Sequence, residues 1–448
     1  MDAGKSSATA LAGNRLEQQF SDAKPLYTAS EAVIEANRCL YCHDAPCITA
    51  CPTGIDIPAF IRKIATGNIR GSAKTIFRVN MAGASTARVC PVEELCVGAC
   101  VYNGFNETPT QIGRLQRYAV STALAAEAAS GRKLFKPKAD SGRKVALIGA
   151  GPASLVCAAH LALEGVTPII YERDQLPGGL NTTGIAPYKF QAGDALDEIE
   201  WIISHGVDIR IGVEVGQDVT FEQLLAEHDA VFIGVGLGGD TKLNLPGSDG
   251  PGEWGATDLI RRIKNQAGFQ IPADVGSALV IGAGNTAIDI ARELAMLGLP
   301  DVDLVYRRTE EEMSGYAHEL EGARRYGVKL IEKVRPLEVV RSDGRVVGLK
   351  VLDLINNEEV ELACDWVVEA VGQQEFDGAL APGSERDGQG RIIVDETTRR
   401  TGHPHIYAGG DCINGGQEVV HAAADGREAA FAMLQGWGME VGLNPGAA

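Results

Sequence analysis

The spacing of apolar positions divides the 448-residue chain into two textures. Up to about residue 130 no long strand pattern occurs. ASEAVIEANRCL (29–40), DIPAFIRKIATGN (56–68) and IGRLQRYAVSTALAAEAA (112–129) carry apolar residues three and four apart, the period of a helix. The first twenty residues show neither that period nor a charged-then-apolar signal pattern, and read as a loose tail. A basic connector, SGRKLFKPKADSGRK (130–144), follows. Beyond it the pattern changes. KVALIGAG is a short apolar strand closed by glycines, PASLVCAAHLALEG a helix, and TPIIYER a second strand. About 130 residues later the unit recurs as SALVIGAG, NTAIDIARELAMLG and VDLVYRR. A last strand, Gly-rich turn and helix run through HIYAGGDCINGG and QEVVHAAADGREAAFAMLQ. Strands alternating with helices make parallel sheets. The expected fold is an α-helical domain over 1–135 followed by two doubly wound (Rossmann-like) α/β domains. The first is split between 140–260 and 385–448, and the second, 261–384, is inserted in it.

Composition narrows the function. A net charge of −18 and a pI near 5.0 argue against nucleic acid and anionic membrane as partners. No run of 18 apolar residues spans a bilayer, and a cytoplasmic location is expected. Ten cysteines without an export pattern point to metal or redox work rather than disulfides. Seven of them lie between Cys39 and Cys100. Cys39, Cys42, Cys47 and Cys51 form C-x2-C-x4-C-x3-C, with Pro52 next; Cys90 (before Pro91), Cys96 and Cys100 follow. Converging thiolates and Cys-Pro pairs suit iron–sulfur clusters, although the ferredoxin run has two fewer residues between its second and third cysteines. Seven thiolates leave a pair of [4Fe-4S] clusters one ligand short. Two closed zinc sites, with His43 as the eighth ligand, are the alternative.

The two Gly-rich turns suggest dinucleotides. Gly149-Ala150-Gly151-Pro152-Ala153-Ser154 follows a strand and opens a helix, the context the fingerprint needs. Gly149 allows the tight turn, Gly151 lets the backbone approach a pyrophosphate, and the helix N-terminus offers N–H groups to phosphate. Ser154 stands where a third Gly or Ala is usual. Glu172 ends the next strand, placed to accept from ribose hydroxyls. In the second turn, Gly282-Ala283-Gly284-Asn285-Thr286-Ala287, the following strand leads into Tyr306-Arg307-Arg308 instead of an acid. Arginines there suit a 2′-phosphate, which leans to NADPH and leaves NADH open. Gly178-Gly179-Leu180 and the late Gly409-Gly410-Asp411 are further turn candidates, the latter able to bring a carboxylate to a flavin.

Taken together, the Cys39–Cys51 run, Cys90-Pro91 with Cys96 and Cys100, GAGPAS, GGL, GAGNTA, YRR and AGGD resemble the electron-input half of dihydropyrimidine dehydrogenase, including its separate bacterial subunits. More distantly they resemble the small subunit of glutamate synthase. The resemblance runs from about Leu26 to Gly436. It implies one [4Fe-4S] cluster on Cys39, Cys42, Cys47 and Cys100, and another on Cys51, Cys90, Cys96 and Gln116. A Gln at that place favours the pyrimidine branch over glutamate synthase, and one thiolate fewer shifts a cluster's potential upward. FAD would contact Ala150, Gly151, Pro152, Ala153, Ser154, Glu172, Gly179, Leu180, Lys189 and Asp411. The nicotinamide nucleotide would contact Ala283, Gly284, Asn285, Thr286, Arg307, Arg308, Ala370, Val371 and Gly372. Two departures stand out: Lys189 replaces the family's Arg, and Ser314 falls near another Arg that helps hold the 2′-phosphate.

The implied activity is hydride transfer from NAD(P)H to FAD, with electrons passing through two clusters to a hetero-oligomeric partner. That partner would carry FMN and iron–sulfur clusters and reduce uracil or thymine to the 5,6-dihydro form. Such a transfer depends on orientation rather than a dedicated acid or base, so no catalytic side chain is named. The competing readings are a glutamate synthase small subunit, a flavin disulfide reductase and a nucleotide-binding redox sensor without turnover. A disulfide reductase needs a close cysteine pair beside the flavin. Cys157, Cys364 and Cys412 are far apart in sequence and read as buried small apolar residues.

Overall fold

A computed structural model of the chain describes residues 11–376, 378 and 381–442. The first part is helical: α1 (Ala29–Ala36), α2 (Pro46–Thr49), α3 (Ile57–Ala65), α4 (Ile69–Phe77), α5 (Gly83–Val89) and α6 (Ile112–Ser130). Side-chain caps set several starts. Thr28 and Glu31 form a capping box on α1, Asp56 accepts from Ala59 N, and Asn68 accepts from Gly71 N. Gly131, at φ +66°, closes α6. Phe60, Ile61, Ile64, Ile76, Phe77 and Leu115 are fully buried between these helices.

Three sheets follow. The first takes β1 (Lys144–Ile148), β2 (Thr167–Glu172), β3 (Asp208–Ile211) and β4 (Ala230–Ile233), joined by β13 (Ile406–Ala408) in the order β13-β4-β1-β2-β3, all parallel. Between its strands run α7 (Pro152–Leu163), α8 (Leu180–Thr183), α9 (Ala192–Ile203) and α10 (Phe221–Glu227). The second parallel sheet holds β5 (Glu253–Gly255), β6 (Ser277–Ile281), β7 (Asp301–Val305), β8 (Lys329–Ile331) and β12 (Trp366–Glu369) in the order β5-β12-β6-β7-β8. Its helices are α11 (Ala256–Asn265), α12 (Asn285–Met296) and α13 (Ala317–Arg324). The chain then returns to the first sheet through β13, α14 (Asp411–Asn414) and α15 (Val419–Gly436). The inserted doubly wound unit expected from the repeat is therefore present.

Three expectations change. The antiparallel sheet of β9 (Val334–Ser342), β10 (Arg345–Asp353) and β11 (Glu358–Ala363) was not anticipated within 261–384. The break expected at 260 falls inside α11, and β5 before it already pairs with β12 of the second sheet. The N-terminal segment is not wholly loose. Residues 1–10 lie outside the described part, but Leu16 and Phe20 are buried against α11 and Tyr188. Ala23 N donates to Tyr188 O, and Gly268 N donates to Asn14 O. Two anchoring apolar residues are too few to show a period in the sequence.

The helical part docks on the first sheet's unit. Phe77 meets Trp201 of α9 with ring centroids 4.4 Å apart, and the buried Glu198 accepts from Ala84 N and Ser85 N at the start of α5. Arg427 of α15 donates to Thr53 O and Val79 O. Lys264 bridges the two sheet units: fully buried on α11, its ammonium donates to Asn181 O at 3.1 Å and Phe190 O at 2.9 Å. Burial pulls its pKa down to about 8 despite the nearby Glu17 and Glu293. Above that pH the folded protein gives up a proton that an unfolded lysine keeps to about pH 10.4. The unfolded chain then binds more protons, so stability rises with pH across this window. Relative to Lys264→Met, the wild type is expected to gain stability from about pH 8 to about pH 10. Urea midpoints of the two proteins that run parallel across that window would contradict it.

Candidate functional site

The two Gly-rich turns open into one cleft of about 1560 Å³, beyond the ~300–1,000 Å³ typical of a single small-molecule site. At the first turn Gly149 has φ +85°, and a Cβ there would sit 2.7 Å from Gly234 O. Gly151 is ordinary in backbone (φ −76°, ψ 175°), and the nearest protein atom to a Cβ there is 3.8 Å away. Its free side is the cleft, where the N-terminal N–H groups of α7 point. Glu172 Oε2 accepts from Ala150 N at 2.6 Å and Oε1 from Asp174 N at 2.8 Å, while burial raises its carboxyl above the ordinary value. Gly179, at φ +54°, packs on Gly151, and Leu180 follows it into the cleft wall.

Asp411 comes to the same wall by packing. A Cβ on Gly426 of α15 would lie 2.1 Å from Ala153 O, and one on Gly410 3.2 Å from Ala153 Cβ. The late Gly-Gly-Asp turn thus rests on the first turn of α7. Asp411 Oδ1 accepts from Gln417 N at 3.1 Å, and burial raises its carboxyl.

At the second turn a Cβ on Gly282 would meet Ala370 O at 2.2 Å, which is how Ala370, Val371 and Gly372 come beside it. Ala283, Gly284, Asn285 and Thr286 line the cleft, and Asn285 Oδ1 accepts from Tyr316 N at 2.9 Å. Arg307 and Arg308 follow β7 on the cleft rim; both are exposed, and among the described residues neither guanidinium has an ion-pair partner. Ser314 stands near Gly284.

Two expected flavin contacts do not line the cleft. Ser154 is fully buried beneath the turn, against Gly234. Lys189 is ion-paired to Asp289 and Glu319. Conversely, Asp289, Tyr316, Gln417 and Glu418 line the cleft and were missed. The only available signal was that Gln417 and Glu418 follow the Gly-Gly-Asp turn directly. With glycine-cleared backbone at both turns, helix N-termini aimed inward and the Glu172 carboxylate at the end of β2, the cleft fits a dinucleotide at each turn.

The cysteines sort into two neighbourhoods. Cys39, Cys42, Cys47 and Cys100 line one small pocket, walled by Leu40, Ile57, Ile61 and Ile112. Burial and the nearby Cys39 and Cys100 push the Cys47 thiol up to about 12. Cys51, Cys90 and Cys96 form the other group. Burial and the neighbouring Cys51 push Cys96 to about 12, and burial with Cys96 and Cys51 holds Cys90 well above its ordinary value. Glu418, on the cleft wall, is close enough to Cys90 to add to that rise. His43 is fully exposed beside Asp44, and among the described residues no three His, Cys, Asp or Glu side chains converge as ligands of one metal ion. The full exposure of His43 counts against the zinc arrangement, which needs it as the eighth ligand. Gln116 is buried on α6, its Nε2 donating to Gly83 O at 2.9 Å and Thr86 Oγ1 at 3.1 Å, on the helix that leads into Cys90.

This combination defines an NAD(P)H-dependent flavoprotein oxidoreductase joined to an iron–sulfur domain. Residues 16–128 match the family described as dihydropyrimidine dehydrogenase domain II, 4Fe-4S cluster, and residues 143–426 match pyridine nucleotide-disulphide oxidoreductase. The chain is 36% identical over 418 residues to the NAD-dependent dihydropyrimidine dehydrogenase subunit PreT of Escherichia coli K12, covering 93% of this chain and 97% of that one. It is 33% identical over 465 residues to the small chain of glutamate synthase [NADPH] of Halomonas elongata, covering 97% of both. The chain belongs to this family of flavin and iron–sulfur electron-input subunits. Thioredoxin reductase of T. acidophilum shares the fold at TM-score 0.54 and 21% identity, over 66% of this chain and 99% of that one. FprA of Mycobacterium tuberculosis, in complex with NADPH, does so at 0.52 and 19%, over 66% and 85%. The disulfide-reductase reading gains no cysteine pair from this likeness. Cys157 on α7, Cys364 between β11 and β12, and Cys412 on α14 are each buried. Among the described residues no helix is long and apolar enough to cross a membrane.

Alanine tests the two turns separately, because neither Gly151 nor Gly284 has a backbone that requires glycine. Gly151→Ala is expected to lose FAD while keeping its circular dichroism. Gly284→Ala should keep FAD and raise the KM for the nicotinamide nucleotide. Equal flavin loss in both would contradict the assignment.

Proposed function

We propose that the chain takes hydride from NADPH onto FAD bound at the first turn and feeds electrons through two [4Fe-4S] clusters to a separate catalytic subunit. That subunit would carry FMN and iron–sulfur clusters and reduce uracil or thymine to the 5,6-dihydro form. The observation that carries the reading is the shared cleft, with both Gly-rich turns on one wall system and Glu418 linking it to the cysteines. When bound, FAD supplies a carrier that accepts electrons in pairs and releases them singly. The chain's own task is placement. The N-terminus of α7 and Glu172 hold one dinucleotide, and the N-terminus of α12 holds the other. Arg307 and Arg308 grip the 2′-phosphate, which favours NADPH over NADH. Cys39, Cys42, Cys47 and Cys100 supply one cluster. Cys51, Cys90, Cys96 and Gln116 supply the other, with Gln116 ligating through Oε1 because its nitrogen is committed to Gly83 and Thr86.

The partner is tested by anaerobic pull-down of the tagged protein from its host, followed by nucleotide oxidation assays on the complex. Uracil-dependent oxidation with an FMN subunit present supports the proposal. Oxidation driven by glutamine and 2-oxoglutarate, with a large glutamate synthase subunit, would replace it by the second reading. Nucleotide choice is tested in the same assay. The double variant Arg307→Ala/Arg308→Ala should raise the KM for NADPH by about ten- to a hundredfold, the worth of one or two charged hydrogen bonds. The KM for NADH should move little, and equal shifts for both nucleotides would contradict the role.

A further inference from the structure

Lys189 stands between α8 and α9, in the unit built on the first sheet. Its ammonium, however, reaches into the second unit. It lies 2.7 Å from Asp289 Oδ1 and 2.7 Å from Glu319 Oε1. Asp289 is one turn into α12, whose N-terminus faces the nicotinamide site, and Glu319 is on α13. Tyr188 donates its O–H to the same Asp289 Oδ1 at 2.6 Å. Arg292 of α12 lies over the Tyr188 ring, 4.3 Å from its centroid. The three charged side chains are mostly buried, with 17%, 13% and 17% of their surface exposed for Lys189, Asp289 and Glu319. Burial alone would lower the Lys189 ammonium, but the two carboxylates outweigh it and hold it above its ordinary value.

A second tie acts at the same turn. Tyr316 N donates to Asn285 Oδ1 at 2.9 Å, and its O–H donates to Glu418 Oε1 at 2.8 Å. Glu418 leads into α15, which packs on α7. The nicotinamide turn is therefore fastened to the flavin unit at two points.

Units of one chain move against each other by default unless a large apolar interface holds them. Beside the cleft the fastening is polar and charged. Removing the cation takes away the charged tie from the first unit to Asp289 and Glu319 of the second, leaving Asp289 to the Tyr188 hydroxyl and Glu319 to Arg292 and His318 within its own unit, and so loosens the hold of one unit on the other. Hydride transfer tolerates little displacement, since a misplacement of about 1 Å can cost ~10²-fold in rate.

We infer that Lys189 is a positioning residue: it holds the nicotinamide unit at the angle that sets the transfer distance, and it does not contact the flavin. The inference rests on the proposed hydride transfer. Its test is Lys189→Met, with Lys189→Arg as the conservative control and Glu319→Gln as a second variant on the other side of the bridge. Flavin content, NADPH affinity, anaerobic flavin bleaching by stopped flow and small-angle X-ray scattering are measured on each full-length protein. Lys189→Met should keep its FAD and its NADPH affinity, bleach about ten- to a hundredfold more slowly, and scatter as a more extended particle. Lys189→Arg should recover most of the rate. Combining Lys189→Met with Glu319→Gln should cost no more than Lys189→Met alone, because both break one contact. Loss of FAD from Lys189→Met would make Lys189 a flavin contact and overturn the inference. Unchanged bleaching and unchanged scattering in both single variants would overturn it as well. If the wild type itself does not bleach with NADPH, the functional reading fails, and the scattering still reports on the bridge.

Discussion

Two helix N-termini, those of α7 and α12, face one cleft with backbone N–H groups that no carbonyl of their own helix can satisfy. Much of the fold serves to bring those ends close to a ligand and to each other. The turns before them must be glycine because Gly234 O and Ala370 O occupy the space of a side chain at Gly149 and Gly282. The chain must leave the first sheet after β4, build the second, and return through β13, since Asp411 reaches the cleft only when α15 lies against α7. Each sheet places its binding turn at the carboxyl ends of its parallel strands, where open α/β sheets bind ligands.

The cysteine region obeys a different constraint. Thiols packed among apolar walls and beside one another resist ionisation, as Cys47 and Cys96 show at about 12. Thiolates are the ligating form, so the site needs a compensating positive centre to hold several of them together. The protein supplies the walls and a rigid approach. Glu198 secures the start of α5, Gln116 is fastened to the same helix, and Cys90 ends it. The unit carrying the flavin-type turn thereby also braces the cysteines.

Local chemistry was legible in the sequence; long-range geometry was not. The two βαβ repeats, the long helix around Gln116 and the Gly-Gly-Asp return all follow from period and glycine placement, because each is decided within about twenty residues. The three-stranded sheet of β9 to β11 was missed because its strands alternate weakly between buried and exposed positions, and β11 is almost wholly exposed. Lys189 was assigned by analogy to the flavin, and its carboxylate partners lie at Asp289 and Glu319, a pairing no local pattern encodes. Ser154, a departure from the fingerprint that was still assigned to the flavin, turns inward against Gly234. Glu418 and Tyr316 join the site only once the second unit folds over the first.

The segment around Leu16 and Phe20 links beginning to middle. It precedes the cysteine helices in the chain, yet it packs against α11 and Tyr188, which are made much later. During synthesis this segment emerges before the cysteine helices and finds its seat only after α11, which begins at Ala256, has been made. Until then its apolar side chains remain exposed, and the cysteine helices behind it fold without that anchor. Docking of the segment therefore awaits the synthesis of α11, and it binds the order of assembly to the order of translation.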